Sequence, residues 1–310
     1  TYDASVSDLD GVEGVAGSPL ALALADETDA AAADLLRLEG KDDSAVLALN
    51  TAYATNGAVL AVAKGVKLAK PILVVFVRAG AKPQLLTTRN VISVGEDAEA
   101  TLIEAYVTLP GAAEAAQYNT ATELDVAAGA DVTHIKCTVD RGRVMHLSNW
   151  VVGIGAGASY RAFQFTSGTA VSRNGVDVTF KGEDAKIDVS GAFLARGSEH
   201  IDSTLVIDHA VPGCESRELF KGVLDDEARG IFQGKVIVRP DAQKTDGKQM
   251  AQVLMLSPNT EFDSKPELEI YADDVVCGHG STSADLDEDC RLYTSDRADD
   301  RPCVERGGRP

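Results

Sequence analysis

Val94-Gly95-Glu96-Asp97-Ala98-Glu99-Ala100-Thr101-Leu102-Ile103-Glu104 decides the fold: an apolar run ends, a Gly-Glu-Asp turn redirects the chain, and a run with alternating apolar residues leaves it. Period-two alternation marks a strand buried on one face. The same turn chemistry returns at Ala128-Gly129-Ala130, Gly155-Ala156-Gly157-Ala158, Lys181-Gly182-Glu183-Asp184-Ala185, Asp225-Asp226-Glu227-Ala228 and Ser257-Pro258-Asn259-Thr260. With Ala98, Ala130, Ala158, Ala185, Ala228 and Thr260 as markers, the intervals are 32, 28, 27, 43 and 32 residues. A repeat near thirty built only of strands and turns predicts a solenoid. Each coil gives two or three short strands, and stacking buries a continuous core. An all-β parallel β-helix satisfies this. A β-sandwich or jelly roll has strands of similar length but no reason for one turn to recur at a near-constant interval.

Outward from that stretch, the only strong helical signal is Pro19 to about Leu38, an Ala/Leu-rich run closing on Gly40. From Ser44 onward the texture becomes short β-branched runs punctuated by Gly, Asp and Asn, read as strands and tight turns. The expected organisation is therefore a short helical N-terminal remnant over 1–43, a β-helical core over 44–289 and a tail over 290–310. Aromatics are scarce, 5% against 45% hydrophobic residues overall, which predicts a core of small and β-branched side chains in regular layers.

The formal net charge of −19 argues against wrapping nucleic acid or an anionic membrane, both of which reward clustered Lys and Arg. The longest apolar stretch, Ala58 to Val77, is broken by Lys64, Lys67, Lys70 and Pro71 and is no membrane span. No signal peptide is visible, so an acidic cytoplasmic protein is the plain expectation; because the chain begins at Thr1, it reads as a fragment. The five cysteines, Cys137, Cys214, Cys277, Cys290 and Cys303, are widely spaced and contain no C-x-x-C pair, which fits neither a disulfide framework nor a ready-made zinc site.

Gly153-Ile154-Gly155-Ala156-Gly157 imitates a phosphate loop, but a strand-like run rather than a helix follows it, so a repeat turn is expected. With no Walker lysine, no nucleotide is expected on this chain. No G-x-S-x-G elbow or H-E-x-x-H occurs. The acidic pairs Asp225-Asp226 and Asp273-Asp274 could serve a β-helical carbohydrate-active enzyme, though solvated turn carboxylates explain them as well. The sharper chemistry is Cys277-Gly278-His279-Gly280. Two residues apart on a strand, Cys277 and His279 share one face. A thiolate and an imidazole there make half of a site for a soft or borderline metal such as iron. The missing ligands would come from Cys214, from carboxylates or from a partner subunit.

Five stretches carry a resemblance: Ala48-Leu49-Asn50-Thr51-Ala52-Tyr53; Ser216-Arg217-Glu218-Leu219-Phe220-Lys221-Gly222-Val223; Gln243-Lys244-Thr245-Asp246; Ser264 to Val275 with Cys277-Gly278-His279-Gly280; and Leu286-Asp287-Glu288-Asp289. Over about residues 44 to 289 the chain resembles the SufB/SufD family of iron–sulfur cluster assembly proteins, and the short Ala48–Tyr53 region looks more like the SufD branch. The resemblance implies a right-handed parallel β-helix and a non-catalytic scaffold role. It also implies a heterodimer with a SufB-type paralogue and a SufC-type ATPase docking on C-terminal helices. A transient iron–sulfur cluster would form at the SufB interface, with Cys277 and His279 as the matching cofactor-binding residues and His279 the first choice of iron ligand. A purely structural partner of SufB is the alternative within the family, and a flavin is sometimes linked to the assembled complex. After Asp289 the chain departs from the pattern. Cys290 to Pro310 lacks apolar periodicity, resembles translated adapter sequence and is expected to be disordered, with the ATPase docking helices absent.

Overall fold

The computed structural model describes residues 3, 7–9, 12–25, 44–140 and 142–285. Strand alternation is the rule throughout. In Lys186–Ala195, for example, Ile187, Val189, Phe193 and Ala195 are buried while Lys186, Asp188 and Leu194 face out. Such strands form two sheets. The first runs β1 (Val15–Pro19), β2 (Ala58–Val62), β4 (Gln84–Val94), β6 (Ala115–Val126), β8 (Arg143–Ile154), β10 (Val171–Phe180), β12 (His200–His209), β14 (Arg229–Val238) and β16 (Glu261–Ile270). The second runs β3 (Ile72–Arg78), β5 (Glu99–Thr108), β7 (Asp131–Val139), β9 (Ser159–Ser167), β11 (Lys186–Ala195), β13 (Glu215–Leu224), β15 (Asp246–Met255) and β17 (Val276–Asp285). The chain visits the sheets alternately and every ladder from β2 onward is parallel, for instance Val176↔Leu205 and Val189↔Glu218, so the molecule is a parallel β-solenoid of about eight turns.

The turns explain both the repeat and its irregular interval. One corner of the solenoid holds Ala98, Ala130, Ala158, Ala185, Cys214 and Thr245, all buried, at intervals of about thirty. The residue before each has positive φ: Asp97, Gly129, Gly157, Asp184, Gly213 and Lys244. Its N–H reaches the carbonyl of the next turn, as Gly129 N to Ala156 O at 2.8 Å and Gly213 N to Gln243 O at 2.9 Å, so the turns form a ladder of their own. Ala228 and Thr260, counted with this series in the sequence, belong to the opposite corner, where Ala228 N closes on Asp225 O and Thr260 N on Ser257 O. Mixing the two corners produced the interval of 43. Gly153–Gly157 is the end of β8 and a turn, as expected.

The core is less aliphatic than its composition suggests. Trp150, Tyr160, Phe180, Phe193, Phe220 and Phe232 are all buried. Large and small alternate between rungs: the Phe220 ring occupies the space a Cβ on Gly191 would need, and Phe193 does the same at Gly222. Phe193 and Phe220 thus each fill the volume that a glycine on a neighbouring rung leaves free.

The N-terminal region differs from the expected helical remnant. Val15–Pro19 is a strand, paired antiparallel with β2 and covering that edge of the first sheet. Of the Pro19–Leu38 helix, α1 (Leu20–Ala23) is present, and residues 26–43 lie outside those described. A helix missed in the sequence, α2 (Ala45–Tyr53), is capped by Ser44 Oγ accepting from Leu47 N at 3.2 Å. Its Asn50 amide donates to Thr88 O (3.0 Å) and Asn119 O (2.9 Å), and Arg89 links Asn50 and Thr51 to the buried carboxylate of Glu123. No helix among the described residues is long and apolar enough to cross a membrane.

Candidate metal-binding end of the solenoid

The two sheets end differently at their two margins. At the N-terminal end β1 covers β2; at the other end, among the described residues, β16 and β17 have no further strand beside them. Cys277 and His279 lie on β17, the last rung. Their register partners are Gly247 and Gln249 on β15, which in turn pair with Ser216 and Glu218 on β13. Because Ser216, Glu218, Gly247 and Gln249 are all buried, the two columns Ser216–Gly247–Cys277 and Glu218–Gln249–His279 lie on the inner face of the sheet. Cys277 is half-buried against the core, and His279, on the last strand among the described residues, is exposed.

Gly247 opens the space beneath the thiol. A Cβ there would sit 3.4 Å from Ser216 Oγ and 3.6 Å from Cys277 Sγ. Gly234 of β14, facing from the other sheet, does the same for Gln249: a Cβ on it would collide with the Gln249 amide. Partial burial pushes the Cys277 thiol pKa up, opposed by a backbone hydrogen bond from Gly247 and reinforced by the nearby Asp246 and Glu218 carboxyls. At neutral pH Cys277 is therefore a thiol, and a cation must displace its proton to be ligated.

Below the pair lies a buried acid. Glu218 is 2% exposed, and its pKa rises to about 7 because burial outweighs Ser216, Arg217 and Gln249. Neither of its carboxyl oxygens meets a partner at hydrogen-bond distance, and neither does the amide oxygen or nitrogen of Gln249. His209, beside them, has its pKa lowered to about 4 by burial against the opposing pull of Asp208, and bonds Ser216 Oγ at 3.1 Å. A signal for Glu218 existed in the sequence: in Ser216-Arg217-Glu218-Leu219-Phe220 it takes an inward position of an alternating strand. Gln249 gave none, being an ordinary polar residue in a polar-looking run.

Among the other expected contributors, Cys214 is not brought to the pair. It fills the turn position otherwise held by alanine, its thiol facing Gly182 O and Pro212 O at 3.5 Å. Asp225 and Asp226 are turn residues at the opposite corner, Asp225 bonded to Ser257. Cys137 lies half-buried on the outer face of β7. Among the described residues no three His, Cys, Asp or Glu side chains converge on one point that could hold a metal ion. Cys277 and His279 are thus a donor pair suited to iron but short of a full ligand set. Cys290 and Cys303 lie outside the described residues.

Comparison with known proteins now bears on this geometry. The model of the SufBD core domain of the SUF system for FeS cluster assembly matches residues 76–300. The chain belongs to the SufB/SufD family. The match runs past Asp289, where the resemblance in the sequence was expected to end. The iron–sulfur cluster assembly protein SufD of Escherichia coli is 31% identical over 243 residues, covering 77% of this chain and 56% of that protein. A SufBD family protein of Synechocystis is 30% identical over 80% of this chain and 56% of its own length, and SufD of Bacillus subtilis is 27% identical over 86% and 60%. Two of these relatives carry the SufD name, in line with the SufD-branch reading. The chain spans a little over half the length of these three relatives.

Proposed function

We propose that this chain is a non-catalytic, SufD-like scaffold subunit for iron–sulfur cluster assembly, using the β17 strand that carries Cys277 and His279 to meet a SufB-type paralogue. The observation that carries the reading is the position of Cys277 and His279: two soft donors on one face of the last rung, half a ligand set, with the other half left for a partner. The cluster is cargo at this interface. ATP hydrolysis belongs to a SufC-type ATPase.

The chemistry follows from the environment. Gly278 and Gly280 keep bulk off the strand between and beyond the two ligands. The raised thiol pKa keeps Cys277 protonated until iron arrives, so capture releases a proton and is favoured by rising pH. The imidazole of His279, exposed at the rim, is free to turn toward a metal held partly by another chain. Anaerobic reconstitution with iron and sulfide, in the presence of a SufB-type partner, tests the proposal. His279→Ala and Cys277→Ala are expected to lower bound iron and cluster transfer while the partner is still captured. Unchanged iron content in both variants would leave a purely structural subunit. The carbohydrate-active reading loses its basis in the family match.

A further inference from the structure

We infer that Gln249 is a positioning residue for His279, and that Glu218 behind it fixes which way the Gln249 amide points. The inference rests on the reading of Cys277 and His279 as a ligand pair and extends that site two rungs inward.

Three observations support it. Glu218, Gln249 and His279 stand in strict register on β13, β15 and β17, one strand spacing of about 4.8 Å apart. Glu218 and Gln249 are 2% and 3% exposed, yet all four of their terminal polar atoms lack a partner. Buried polar groups without partners are costly and rare, so two adjacent ones in the column that ends on His279 point to an interaction completed by that residue. Finally, the opposite sheet offers the Gln249 amide nothing: Gly234 makes room for it, and the next rung at that position is Pro266, which has no N–H. The polar group above Gln249 in its own column is His279.

The inferred arrangement turns the Gln249 amide, which lies against Gly234 with both its terminal atoms unbonded, so that NH2 donates to the ionised Glu218 carboxylate and Oε1 accepts from one imidazole N–H of His279. That bond selects the tautomer whose other nitrogen faces outward with its lone pair free for a metal.

Imidazole 15N chemical shifts of the metal-free chain, and titration with Co(II) followed by its thiolate charge-transfer and d–d bands, test this. The variants are Gln249→Leu, Gln249→Glu and His279→Ala. Gln249→Leu is expected to redistribute the His279 tautomers and to weaken Co(II) binding about 10- to 100-fold. Gln249→Glu, which keeps an acceptor, is expected to restore both. If Gln249→Leu leaves the tautomer balance and Co(II) affinity at wild-type values while His279→Ala abolishes binding, the positioning role is wrong and the ligand pair stands. If His279→Ala binds Co(II) as the wild type does, the ligand pair itself is wrong and the inference falls with it. A folding defect in Gln249→Leu would appear as lost thermal stability and failed rescue by Gln249→Glu, and would also overturn the positioning role.

Discussion

Two of the polar clusters buried inside this solenoid differ in how far their hydrogen bonds close. In the N-terminal half, the Glu104 carboxylate accepts from Thr122 (2.7 Å), His134 (3.0 Å) and Tyr106 (3.2 Å), and His134 Nδ1 meets Tyr160 OH at 3.1 Å. Lys136, fully buried, donates to Ser148 Oγ at 2.6 Å and Asn174 Oδ1 at 2.7 Å and lies 5.9 Å from the Trp150 ring. Gln164, on the next rung in the Lys136 column, is left open. On the rungs below the exposed His279, Glu218 and Gln249 have no partner in hydrogen-bond geometry, and the nearby Ser216 and Gln249 only partly offset the cost of burying Glu218. Closed networks rigidify a core, whereas one left partly unsatisfied is costly until a further group completes it. The protonation states agree. Burial alone would raise the Glu104 pKa, but His134 and Thr122 pull it below its usual range, whereas burial prevails at Glu218.

The contrast breaks most visibly at Glu104. Glu104→Leu removes the acceptor of three buried donors and the carboxylate that opposes the buried Lys136 charge. Breaking a closed buried network from one side costs about 3–5 kcal/mol, and chemical denaturation should register that loss. A cost under about 1 kcal/mol would mean that the two clusters are energetically alike.

Glu218 should behave in the opposite sense. Its folded pKa of about 7 lies above the ordinary carboxyl value, so between roughly pH 4.5 and 7 the folded state binds the extra proton. Stability from this group is therefore present in full below the unfolded value and is lost as pH rises through 7. At about 1.4 kcal/mol per unit the loss is of order 3 kcal/mol. Glu218→Gln, which stays neutral, is expected to be more stable than the wild type at pH 8 and equal to it near pH 4. Denaturation midpoints of the two proteins across pH 4–8 check this; parallel curves would remove the open cluster's strain from the account.

The solenoid was legible because its signal is repeated: each rung restates the alternation and each corner restates the positive-φ turn, so errors at single positions average out. What failed were single events. Asp225–Ala228 and Ser257–Thr260 share turn chemistry with the Asp97 series, and residue types alone do not say which corner a turn occupies. Ala45–Tyr53 looked strand-like because its helicity rests on one cap at Ser44 and on docking of Asn50 against Thr88 and Asn119, contacts 38 and 69 residues away. Cys277 and His279 were readable from local spacing, whereas Gln249 acquires meaning only from register with residues thirty positions distant.

Cys214 gives the smallest expected effect and a sharp control on which thiol matters. Its position in the corner ladder is that of Ala98, Ala130, Ala158 and Ala185, and burial pushes its thiol pKa up, opposed by turn N–H groups of Asp184 and Ala185. Its sulfur fills a slot the fold fills elsewhere with a methyl group, and its contacts at 3.5 Å to Gly182 O and Pro212 O are weak. Cys214→Ala therefore trades one small buried side chain for the residue that neighbouring rungs already use. The cost should stay under about 1 kcal/mol, the transfer value of roughly one methylene. Iron or Co(II) binding should be unchanged, in contrast to Cys277→Ala. A loss of metal in Cys214→Ala as large as in Cys277→Ala would show that the corner thiol, two rungs in from β17 and outside the Cys277 and His279 columns, takes part in the site after all.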